Sequence, residues 1–156
     1  MTSPSALCCA PRAGRRLAAV LLAVAMTTSC AGATRHAGSA SSARVAVTLE
    51  NFKIDVPEQI RAGLTSFVVT GVGPTMHEFN VVRTRAGRKD LPVGDDHLVD
   101  DQNPHPDFDH LGEVEGIDIG QHKSLTISLP PGHYVLYCNM DGHYAFGMNA
   151  DLTVLP

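Results

Sequence analysis

From residue 44 onward the apolar positions of this chain recur mostly every second residue. Val45, Val47 and Leu49 alternate with polar neighbours, and Phe52, Ile54 and Val56 continue the alternation up to Pro57. That period places one set of side chains on one face of an extended strand. Leu64 to Thr70 (LTSFVVT) reads as a second strong strand, bounded by Ala62-Gly63 and by Gly71, Gly73 and Pro74. His77 to Arg83 predicts a third, with His77, Phe79 and Val81 on one face. Ser124 to Leu129 predicts a fourth, and Pro130-Pro131-Gly132 turns the chain. Tyr134, Leu136 and Cys138 then share a face of the next strand, with His133 on the opposite, exposed side. A last strand runs from Met148 to Leu155. Helical patterning is weak beyond the first thirty residues, so the class is all-β, one domain with appendages.

Two stretches break the pattern. Residues 84 to 118 have little strand character. Between Asp90 and Asp118 they hold ten acidic residues and no lysine or arginine, with Pro92, Pro104 and Pro106 interspersed. This predicts a long solvated acidic loop joining two strands. His97, His105 and His110 lie in it. Loose Cu(II) or Zn(II) capture and steering of a basic partner are the functional readings, and a solvated loop the plainer one.

The N-terminus, residues 1 to 30, has the form of an export signal. Arg12, Arg15 and Arg16 precede the apolar run Leu17 to Met26, which is shorter than the roughly 20 residues a membrane span needs. Thr27-Thr28-Ser29-Cys30 resembles a bacterial lipobox, which would lipidate Cys30 and tether the protein to the outer face of the membrane. Cleavage after Ala33 would instead release a soluble secreted or periplasmic protein. Residues 31 to 43 (AGATRHAGSASSA), with His36, read as a flexible tether of roughly 20 Å root-mean-square reach. Loss of the three signal arginines takes the formal charge from −4 to −7, which argues against nucleic acid as a partner.

With Cys8 and Cys9 in the signal and Cys30 acylated or removed, Cys138 is the one cysteine of the domain at 44 to 156. No disulfide can form within it, and a lone thiol in an exported protein calls for a role. The stretch YVLYCNMDGHYAFGM supplies one. Cys138, His143 and Met148 follow one another with four residues between each pair. Thiolate, imidazole and thioether together suit a copper ion that must be stable as Cu(I) and as Cu(II), in a trigonal His₂Cys arrangement with a weak axial Met. The second histidine must come from elsewhere, and His77 in GPTMHEFNVV, beside a Gly/Pro loop, is the best placed. A half-buried structural histidine is the competing reading for His77, and a core methionine that for Met148.

The run Tyr-x-x-x-Cys-x-x-x-Gly-His-x-x-x-Gly-Met, followed by a Thr-Val strand, resembles the C-terminal ligand loop of the cupredoxins, the type 1 blue copper family. Its spacing is most similar to that of rusticyanin, sulfocyanin and auracyanin. Asp141 stands where proline is common in the family, and Glu78 where asparagine or aspartate is. The resemblance implies a Greek-key β-sandwich of about seven or eight strands. It implies one copper held by His77, Cys138, His143 and Met148, and single-electron transfer with redox protein partners such as a cytochrome or terminal oxidase. It also implies that His143 is the electron exit, ringed by an apolar patch of Met140, Tyr144, Ala145 and Phe146.

Three other classes compete. A multicopper oxidase or copper nitrite reductase would carry histidine beside the cysteine, whereas Tyr137 and Asn139 flank Cys138 here. A binuclear copper domain needs two cysteines in the loop. A copper carrier or storage protein of the cell envelope could use the same ligands. The expectation is therefore a monomeric electron carrier rather than an enzyme.

Overall fold

The computed structural model describes residues 42 to 156. The export signal, Cys30, Ala33, His36 and nearly all of the tether lie outside the described residues. Nine strands follow in order: β1 (Ala43–Glu50), β2 (Lys53–Asp55), β3 (Gln59–Arg61), β4 (Gly63–Gly71), β5 (His77–Thr84), β6 (Phe108–Ile117), β7 (His122–Leu129), β8 (Gly132–Tyr137) and β9 (Asn149–Leu155). One sheet has the order β2-β1-β4-β7 and the other β3-β9-β8-β5-β6. Most neighbours are antiparallel, but β1 runs parallel to β4, and β3 to β9.

The alternation seen in the sequence sorts residues between the two sheet faces. Val45, Val47 and Leu49 of β1, Phe67 and Val69 of β4, Phe79 and Val81 of β5, and Tyr134, Leu136 and Cys138 from the β8 segment bury into one cluster between the sheets. Phe67 and Phe79 meet across it with ring centroids 5.4 Å apart. Burial of each such side chain contributes about 1.5–3 kcal/mol. Cys138 is thus held in the core by the strand that precedes it.

The long acidic excursion is shorter and more ordered than expected. Its second half, from Phe108, is strand β6, the edge of the five-stranded sheet. Asp109, Glu113 and Glu115 point to solvent there, which is how an edge strand tolerates charge. Nor is the remaining loop merely solvated. Leu91 and Val99 bury against Val82, Phe108, Val135, Tyr137 and Tyr144 in a second cluster. The loop therefore roofs the outer face of the sheet, and so β8 is buried on both faces.

Candidate metal centre

His77, Cys138 and His143, 61 and 5 residues apart, meet at one end of the sandwich, with their ligand atoms all within 4.8 Å of one another. The two imidazoles approach Nδ1 to Nδ1 at 3.3 Å. The Cys138 Sγ lies 3.3 Å from the same His143 nitrogen. His77 opens β5 on its inward face and is fully buried, as is Cys138, while His143 is partly exposed. Met148 is fully buried one residue before β9, in the same core cluster as Cys138.

The ligand loop closes on itself through the backbone. Cys138 N donates to Met148 O, Met148 N to His143 O, and His143 N to Met140 O, at 3.1, 2.9 and 2.9 Å. Gly142 and Gly147 precede His143 and Met148 with φ of +75° and +98°. A side chain there would be strained, so the two glycines of the motif are required by the tight turn. On the β5 side a register shift between His77 and Phe79 leaves Glu78 out of the β6 ladder. Its N–H donates to Cys138 Sγ at 3.3 Å.

Burial dominates the electrostatics. It pushes the Cys138 thiol up, with the N–H groups of Glu78 and Met140 working the other way. It lowers His77, helped by the neighbouring His143, and it lowers His143 against a smaller opposing effect from Asp141. Two neutral imidazoles and a buried sulfur therefore direct lone pairs at one small space, a donor set suited to a soft or borderline cation. Around an ion bound trigonally at about 2.0–2.3 Å, donors stand about 3.5–4 Å apart, close to the spacings found. The outer nitrogen of His77, Nε2, is buried without a partner.

The surroundings differ from expectation in several places. Tyr144 is buried, with its hydroxyl accepting from Leu91 N at 3.0 Å, and Met140 packs against the core. Of the expected patch, Ala145 and Phe146 are exposed, and Phe52 joins them, its ring edge-on to His143 at 5.6 Å and 5.1 Å from Phe146. Phe52 sits at φ +59°, which removes it from the alternation that its neighbours suggest. His133 is half-buried, bonding Thr84 O and Asp151. In the loop, His97 is exposed and His105 stacks on Phe108. His110 alone of the three joins carboxylates. Not foreseen was Asp101. It accepts from Tyr137 Oη at 2.7 Å and from Asn139 Nδ2 at 3.1 Å, so the acidic loop is pinned to both neighbours of Cys138.

No protein-family model matches the chain, and no curated protein does. Solved structures match it through the fold. A dithionite-reduced auracyanin from the photosynthetic bacterium Roseiflexus castenholzii is 19% identical, with a TM-score of 0.52, over 75% of this chain and 99% of that one. Auracyanin A, a "blue" copper protein from the green thermophilic photosynthetic bacterium Chloroflexus aurantiacus, is 16% identical with a TM-score of 0.53, over 74% and 100%. Auracyanin B is 19% identical with a TM-score of 0.53, over 76% and 91%. The fold is the expected cupredoxin-like β-sandwich, with nine strands among the described residues.

Proposed function

We propose that this chain is an exported type 1 copper protein that carries single electrons between redox protein partners, with no catalysis of its own. The observation that carries the reading is the meeting of His77 Nδ1, His143 Nδ1 and Cys138 Sγ in one buried space. A copper ion bound there would cycle between Cu(I) and Cu(II). The residues supply the rest. Cys138 gives the thiolate, the two imidazoles complete the plane, and Met148 is the weak axial donor. His77 is held by β5 and the other three by one hydrogen-bonded loop, so little rearrangement accompanies a change of charge. His143, partly exposed beside Phe52 and Phe146, is the route for the electron.

Storage or delivery of copper in the cell envelope would use the same donors. The full burial of His77 and Cys138 favours retention over exchange. The export signal supports a site outside the cytoplasm, at the outer face of the membrane if Cys30 is lipidated or secreted or periplasmic if cleavage follows Ala33, where a cytochrome or terminal oxidase is the fitting class of partner. Among the described residues no helix is long and apolar enough to cross a membrane.

The test is the visible spectrum of the chain with one equivalent of Cu(II), beside Cys138→Ser. An intense thiolate-to-copper band, absent from the variant, supports the assignment. A pale d–d spectrum in the unsubstituted chain overturns it.

A further inference from the structure

A second group of metal-ligating side chains lies on the outer face of the five-stranded sheet, on the other side from the inward-facing His77 and Cys138. There Tyr137, Asn80 and Glu113 stand in one row across β8, β5 and β6. His110, two residues into β6, brings Nε2 to 3.7 Å from Glu113 Oε2 and 3.3 Å from Asn80 Oδ1. Asp101 descends from the roofing loop, and the ligand atoms of Asp101, His110 and Glu113 are mutually within 4.8 Å. The Tyr137 and Asn139 side chains both bond Oδ2 of Asp101, which fixes that carboxylate in place.

Asn80 is fully buried with its Oδ1 turned to His110, which sets a carbonyl oxygen beside the imidazole and the two carboxylates. Donors sharing one divalent ion at about 2.1 Å stand about 3.0–3.4 Å apart; the Asn80 to His110 spacing of 3.3 Å falls in that range, and the His110 to Glu113 spacing of 3.7 Å lies just beyond it. Beside the group a cavity of about 670 Å³ is lined by Glu78, Asp95, Asp96, Asp101, Glu113 and Glu115, among others, with no lysine or arginine in its wall. Such a wall focuses negative potential and draws in cations.

We propose that Asp101, His110 and Glu113, with Asn80 Oδ1 as a fourth donor, form a second cation site for a borderline divalent ion such as Zn(II). One imidazole with carboxylate and carbonyl oxygens suits Zn(II) and offers nothing soft to Cu(I). It is independent of the copper reading.

The test is calorimetric titration of Zn(II) into the full chain carrying Cys138→Ser, which removes the thiolate of the first site, with Cys8, Cys9 and Cys30 also replaced by serine so that no thiol competes. One Zn(II) should bind per chain, with affinity at least tenfold weaker when Glu113→Gln is added and unchanged when His105→Gln is added. Glu113 is on an exposed edge, so its variant keeps the fold, and far-ultraviolet circular dichroism checks this. Absence of saturable binding in the Cys138→Ser chain overturns the proposal. So does equal affinity with and without Glu113→Gln. Neither result bears on the blue spectrum of the unsubstituted chain.

Discussion

The backbone N–H of Glu78 donates to the sulfur of Cys138, 60 residues further along the chain. The contact depends on the register shift that takes Glu78 out of the β5–β6 ladder, so a local irregularity on one strand serves the sulfur on another. A donor at the sulfur stabilises the thiolate's negative charge and draws electron density from it. Glu78→Pro removes that donor at a bulge, a position where proline is tolerated. With copper bound, the reduction potential should fall and the thiolate band should shift. An unchanged potential in a folded variant would show that this bond does not tune the site.

Gly73 lies against the outer nitrogen of His77. A Cβ there would stand 2.7 Å from Asn51 Oδ1 and 3.0 Å from His77 Nε2. Gly73→Ala should therefore push the imidazole or Asn51 aside, at a cost of about 1–3 kcal/mol. Urea unfolding of the metal-free chain measures the loss, and an unperturbed stability would refute the close packing.

The Tyr137–Asp101 bond ties the roofing loop to the sheet. Tyr137→Phe and Asp101→Ala should each destabilise the chain by about 1.5–3 kcal/mol, the range for a hydrogen bond to a charged group. Because they break the same bond, the double variant should lose less than the sum of the two. Additive losses would mean that the bond contributes nothing.

Acid should weaken the metal-free fold through the site. Burial lowers both His77 and His143 below the usual 6.5, so the unfolded chain binds protons that the folded chain resists. Stability from these two groups is present above pH 6.5 and is lost as the pH falls through that value toward their lowered pKa values. Urea midpoints between pH 7.5 and 5 should decline, and His77→Leu with His143→Leu should flatten the decline. An equally steep decline in that double variant would place the acid sensitivity elsewhere.

The period of two survives in β1 and β4, where one face buries and the other meets water, while β5 and β8, buried nearly throughout, were legible as apolar runs between turn residues. Strand β6 was not. Its acids face water, glycines at 112 and 116 interrupt the apolar residues, and two register shifts break its pairing with β5. The positions of Cys138, His143 and Met148 relative to one another follow from local spacing, and the inward face of His77 follows from its strand. The roof does not. Leu91 and Val99 belong to no alternating run, and their cluster partners lie 9 to 53 positions away, so no periodic signal marks them. The same lack of period in the ligand turn hid the burial of Tyr144 and the approach of Phe52 to His143.

The sheet edges also govern how copies of this chain meet. Strands β2 and β3 each end a sheet with only three residues, too short to template much pairing. Of the two longer edges, β7 in the four-stranded sheet has no acidic residue, whereas β6 in the five-stranded sheet presents Asp109, Glu113 and Glu115. Two such edges brought together would set carboxylates against carboxylates, so the acidity that roofs and lines one face also guards the sheet against strand addition and fibre growth. That guard is electrostatic, so it weakens in high salt and as the carboxylates are neutralised in acid.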